Sequence, residues 1–205
     1  MITEYNGLWL RTDEIDEFID ALQHCAELTS AVCSEVRRWK WIILAMHSAV
    51  QGVCTCALRG VDTAGISALT NDSAKAVWHW LDVESRKETP GPMPCVRLAS
   101  MVDLYRRARK TKFLSEPHRL ESTEQMTRDI LRLNHLRNDF IHFVPQGLSL
   151  EVSGMPRIIT HCCDVIEHLA VTHPTFGHHL DEARTRSIKD ALLKLRSDMK
   201  ACLLN

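Results

Sequence analysis

The eighteen residues from Trp41 to Leu58 contain no charged side chain. A helix made of such a run has no polar face to offer water, so something must enclose it. The candidates are neighbouring helices or lipid, and the run is nearly long enough to span a bilayer. It is, however, interrupted by His47, Ser48, Gln51, Gly52 and Thr55, and it holds no sustained block of Leu, Ile or Phe. The expectation is a central helix buried on most sides by its neighbours, with no membrane partner.

Helix signals elsewhere supply those neighbours. Thr12-Asp13-Glu14 reads as a cap and acidic first turn, followed at helical spacing by Ile15, Phe18, Ile19, Leu22, Ala26 and Thr29. The central helix spans about Ser34 to Arg59, with Gly60 closing it. Asn71 or Asp72 opens a third helix carrying Ala76, Val77, Trp80 and Leu81, which the prolines at 90, 92 and 94 bring to an end. A fourth covers about Val96 to Lys112, before a break at Ser115-Glu116-Pro117. Ser122 and Gln125 fit a capping box for a fifth, on which Met126, Ile130, Leu133, Arg137 and Ile141 recur every three or four residues. Two further helices fall at about 156–172 and 179–203. Only Leu148, Leu150 and Val152 alternate with polar neighbours, which predicts a short strand. A lone strand needs a partner, and Leu8-Trp9-Leu10 is the one proposed. The predicted architecture is all-α: a single domain over residues 1–205, an up-and-down bundle of about six to seven helices with a short β-ribbon.

Where that fifth helix approaches Pro145 it carries Arg137-Asn138-Asp139-Phe140-Ile141-His142. Arginine offers a permanently charged planar fork suited to phosphate oxygens. Histidine exchanges protons near neutrality. Asn138 and His142, four apart, share a helical face with His135, while Arg137 lies about 140° round from His142. Arg137 joins them through the length of its side chain or through loosening of the helix end. The plain structural alternative is an Arg137 bridge to Asp139 or to a nearby helix end, with His142 sitting favourably at a helix C-terminus.

The segment from Leu133 to Phe143, L-N-H-L-R-N-D-F-I-H-F, resembles the HEPN superfamily, whose motif is R-x4-6-H near the end of a long helix with a polar residue after the arginine. The match is residue by residue at Arg137, Asn138 and His142, and the specific part covers about ten residues. The resemblance implies a helical bundle, often a homodimer that sets two such motifs across a two-fold axis. It further implies a metal-independent endoribonuclease, often a toxin or phage-defence component with an antitoxin partner. Other members bind nucleotides or RNA, or serve as non-catalytic scaffolds. No second R-x4-H occurs in the chain, so a paired site requires a second copy.

The formal net charge of −1 gives no global attraction to nucleic acid, so a polyanion site must be a local patch. The one sharp cluster is Tyr105 to Phe113, where Arg106, Arg107, Arg109, Lys110 and Lys112 lie between two aromatics. It suits RNA phosphates and bases, and it equally suits a solvated helix C-terminus. His161, Asp164 and His168 share one helical face and form the only metal-like spacing, without an outside ligand to complete it. No metal or other cofactor is expected, since Gly-rich phosphate loops and zinc-protease motifs are absent. Eight cysteines accompany an N-terminus that does not read as a signal peptide, which predicts reduced thiols and a cytoplasmic protein. On a helix, Cys54 and Cys56 diverge by about 200° and Cys162 and Cys163 by about 100°, so neither pair can hold one ion. They read as small buried hydrophobes. The tryptophans read as core and interface residues.

Overall fold

A computed structural model describes residues 10–32, 34–62, 64–86, 91–142, 147 and 149–203. Among them are seven α-helices: α1 (Glu14–Thr29), α2 (Arg38–Arg59), α3 (Asn71–Ser85), α4 (Met101–Ala108), α5 (Glu124–Ile141), α6 (Met155–Glu167) and α7 (Glu182–Cys202). Their starts follow local chemistry. The Asp13 carboxylate accepts from the backbone N–H groups of Ile15 and Asp16, both at 2.9 Å. Thr123 accepts from Met126 at 3.1 Å and Asp181 accepts from Arg184 at 2.7 Å. Each satisfies a donor that a helix N-terminus otherwise leaves orphaned.

The uncharged run lies at the centre of the fold. Helix α2 packs against α1, α4, α5 and α6, and those four continue round it through α7, which bridges α6 back to α1. By length and composition α2 could cross a membrane, but 67% of its most apolar window is buried inside the bundle. Gly52 permits a close approach of α1: a Cβ built there would lie 2.8 Å from the Phe18 Cβ. The predicted central helix is therefore present, inside an all-α bundle whose helices α1, α4, α5, α6 and α7 form an open ring about it. Gly60 ends α2 in the ordinary right-handed region (φ −64°) rather than the left-handed one expected of a closing glycine. It is there for space, because a Cβ would meet the Thr175 carbonyl oxygen at 2.8 Å.

Helix α3 stands apart. It packs on the 3-10 turn at Ile66–Ala68 and contributes nothing to the contiguous core cluster. Trp78 on α3 is exposed, and Trp80 donates its indole N–H to the Gly91 carbonyl at 2.8 Å. Trp39 is in the core and Trp41 is largely exposed.

The predicted β-ribbon is not found among the described residues. Leu8, Trp9 and Leu148 lie outside the described residues, and no strand occurs among the described ones at 149–152. Leu150 and Val152 nevertheless pack on the core while Ser149, Glu151 and Ser153 face out. The alternation reported which side chains are buried but not a strand, because burial of one side does not require a ladder partner. The described extended pairing is elsewhere, a bridge between Leu69 and Leu98. There Thr70 donates to the Arg97 carbonyl and Ala99 to that of Ala68, each at 2.9 Å. That pairing holds residues 97–99 extended, so α4 starts at Met101 behind the Ser100 cap rather than near Val96. Likewise Ser122 is not the cap of α5, because its hydroxyl is taken by the Tyr105 hydroxyl at 2.5 Å, and Gln125 reaches Asp129 instead.

Candidate functional site

Helix α5 buries Ile130, Leu133 and Leu136 and turns His135, Asp139 and His142 to solvent. Asn134, Arg137 and Asn138 lie half-buried between these faces. This flank runs along α2 in antiparallel register. His47 on α2 meets Asn134, with Nε2 to Oδ1 at 3.2 Å. Seven residues earlier on α2, the Lys40 ammonium lies 6.0 Å from the Phe140 ring centre and 5.0 Å from that of Trp41.

The Arg137 guanidinium donates through Nη1 to the Asn138 side-chain oxygen at 3.1 Å. It does not bridge to Asp139, one of the structural alternatives left open by the sequence. A neutral amide fixes the orientation of the fork without cancelling its charge. His142 is the last residue held by α5: its N–H donates to the Asn138 carbonyl at 2.8 Å, while its own backbone (φ −101°, ψ 50°) has left the helix. The loosening that would bring Arg137 and His142 toward a common side thus falls at His142 itself. Its ring is exposed and has no hydrogen-bond partner among the described residues. His135 is also exposed and makes no side-chain bond to the Arg137–Asn138 pair.

The residue that sequence reasoning overlooked is His47. It is 5% exposed, one of few buried polar side chains, and burial lowers its pKa below the usual imidazole value. The bond to Asn134 opposes that shift, and the nearby Arg137 charge adds to it. The signal was available: His47 is the only titratable nitrogen base in an otherwise uncharged run, and a buried imidazole requires a polar partner.

The metal-like trio does not converge. His161 Nδ1 pairs with Asp129 Oδ2 at 2.7 Å, Asp164 accepts from Arg196 at 2.8 Å, and His168 Nε2 lies 3.3 Å from the His118 carbonyl oxygen. Among the described residues no group of three or more His, Cys, Asp or Glu side chains is arranged to hold a metal ion. Cys54, Cys56 and Cys163 are buried, which pushes each thiol up to about 12 and keeps it from acting as a thiolate.

The basic cluster is divided by the fold. Arg106, Arg107, Lys110 and Lys112 line one groove together with Phe113. Arg109 does not, lying instead 5.4 Å from the centre of the Tyr105 ring. Tyr105 is fully buried, so of the two flanking aromatics only Phe113 can meet a ligand.

No family model, no curated protein and no solved structure matches this chain.

Proposed function

We propose that the chain is a metal-independent endoribonuclease of the HEPN type, working as a homodimer with a composite site built from two copies of Arg137, Asn138 and His142. The observation that carries this reading is the Arg137–Asn138 pair at 3.1 Å beside the exposed His142 at the end of α5. It combines an oriented, uncancelled cation with a proton-exchanging ring that solvent and substrate can reach. Exposed apolar side chains flank the same end of the seam, Trp41 (54% exposed) and Ile141 (50%), and suit contact with a second copy.

In the proposed reaction one His142 takes the proton of a ribose 2′-OH as its oxygen bonds to the adjacent phosphorus. The phosphorus–O5′ bond breaks, and the second copy's His142 delivers a proton to the leaving oxygen. The products are a 2′,3′-cyclic phosphate and a free 5′-OH. The two Arg137 forks stabilise the charge that develops on the phosphorane.

A second reading is a non-catalytic RNA- or nucleotide-binding or scaffold module. The His142 ring favours it, since no described side chain holds that ring in a catalytic orientation. The deciding experiment follows labelled RNA with purified wild type, Arg137→Ala and His142→Ala in EDTA, with dimerisation checked by light scattering. The expected result is cleavage by the wild type alone, with both variants still dimeric. Equal turnover by wild type and His142→Ala removes the catalytic reading. Equal binding without cutting by any of the three replaces it with the second.

A further inference from the structure

The basic segment at the end of α4 folds over the start of α3 and leaves a groove of about 720 Å³ between them. Arg107 builds its floor. Its guanidinium donates to the carbonyls of Ser67 (2.9 Å) and Leu69 (2.5 Å) and to the Asn71 side chain (3.1 Å), and it lies 5.6 Å from the centre of the Phe113 ring. That cation is committed to the fold and it positions the ring.

The other cations are not committed in this way. Lys110 and Lys112 are exposed, and neither has a carboxylate partner among the described residues. Lys112 lies 5.8 Å from the Phe113 ring centre on a long arm that is free to swing. Two carboxylates also line the groove. Asp103 accepts from the Ser100 hydroxyl at 2.8 Å and approaches Arg106 at 3.6 Å, which leaves Asp72 as the remaining countercharge. The C-terminal dipole of α4 favours lysines here. It does not account for their sharing a ligand-sized groove with a half-buried aromatic ring, in a chain whose net charge is −1.

We propose that this groove binds single-stranded RNA, with Lys110, Lys112 and Arg106 on backbone phosphates and the face of Phe113 against a base. Cations give the backbone attraction, and base–aromatic stacking adds affinity that tolerates any sequence. The choice of RNA over other polyanions rests on the cleavage reading, whereas the phosphate chemistry does not. The groove lies toward the opposite end of α5 from the motif. The Tyr105 hydroxyl meets Thr127 at 3.3 Å, and Arg137 is about 15 Å further along the helix. The groove is thus a holding site for a strand whose scissile bond lies elsewhere.

The test uses fluorescence anisotropy with 2′-O-methyl oligouridylate, which lacks the attacking hydroxyl and cannot be cut by the proposed route. The double variant Lys110→Ala/Lys112→Ala should bind at least ten-fold more weakly, with its salt slope reduced by roughly 1.4. Phe113→Leu should weaken RNA binding about five-fold or more while leaving inorganic polyphosphate binding unchanged. Arg109→Ala, outside the groove, should bind as the wild type does. Melting temperatures of all variants establish that they fold. Equal RNA affinity of the double variant and the wild type overturns the groove, and so does indifference of RNA binding to Phe113→Leu. If the groove falls while His142→Ala still abolishes cleavage, the catalytic reading stands. If the double variant loses binding while His142→Ala cuts normally, the groove stands alone.

Discussion

The Asp129 carboxylate on α5 receives His161 Nδ1 from α6 at 2.7 Å, and this pair ties two helices of the ring together below the surface. Asp129 is only 3% exposed and is the one buried carboxylate among the described residues. Arg157 donates to it twice, at 2.9 and 3.2 Å, and Gln125 once, at 3.1 Å. A buried charge so fully bonded is stable in place and costly to disturb.

Replacing Asp129 with Asn should therefore cost about 3 kcal/mol, because Arg157 and His161 lose the charge they face. Thermal unfolding should show a drop of roughly 6–12 °C. Burial pushes the Asp129 carboxyl up, but the bonds from Arg157 and His161 outweigh it and hold the group below 3.8. An acid whose folded pKa is depressed contributes stability that is complete above its unfolded value and lost as pH falls through the folded one. Wild type should lose this contribution below about pH 4, and Asp129→Asn should lack that component. A variant as stable as wild type at neutral pH would show that the network carries no load.

His47 should give the opposite signature from a histidine gaining an acidic partner. Burial lowers its pKa, so the unfolded chain binds protons more readily than the fold does. Stability should then fall as pH drops below about 6.5 and level off below the folded value. His168, also lowered by burial, adds in the same direction. His47→Gln keeps a polar group for Asn134 and cannot titrate, so its melting temperature should decline less between pH 7.5 and 5.5. Parallel pH curves for wild type and variant would refute this.

Gly52→Ala should destabilise despite alanine's better helix propensity. The new methyl would collide with Phe18 at its Cβ (2.8 Å) and its Cα (3.2 Å), and the latter cannot move without moving α1. Overpacking of this kind costs about 1–3 kcal/mol, against roughly 1 kcal/mol gained in propensity. Gly91 is the control, because a methyl added there would have no neighbour within 4 Å, and Gly91→Ala should shift stability by less than about 0.5 kcal/mol. Chemical denaturation of both variants decides the matter.

Asn138→Ala should leave the fold intact and release the Arg137 fork from its 3.1 Å partner. Under the cleavage reading a misplaced fork costs on the order of 10²-fold in turnover. Arg137→Ala should cost about 10²–10³-fold and His142→Ala about 10²–10⁴-fold. Single-turnover assays on labelled RNA rank the three, and full activity of Asn138→Ala would remove the positioning role.

Patterns that depend on one helix face were legible in the sequence. The uncharged run became the central helix, and the spacing of Ile15, Phe18, Ile19 and Leu22 became the buried face of α1. What the sequence could not convey was competition between neighbours for one polar group. Ser122 and Thr123 are both good caps, and only the buried Tyr105 hydroxyl decides between them. Val96–Ala99 has helical apolar spacing, and only the Leu69 segment beside it draws its backbone into extended pairing. Of the candidate site, Arg137 and Asn138 were readable because they are adjacent. His47, ninety residues upstream of Arg137, becomes part of the same seam only through the register of α2 on α5.

Helices α1 and α7 lie side by side and parallel: Asp16 meets Arg184, Gln23 meets Ser187 and Thr29 meets Asp198. During synthesis α1 therefore cannot finish its packing until α7 has been made, more than 150 residues later. Helices α1 and α2 can associate early, but the side of α1 meant for α7 stays open throughout. A nascent chain stalled before residue 182 would present that side to whatever is nearby, so truncation there leaves an aggregation-prone surface on a chain whose other helices are already made.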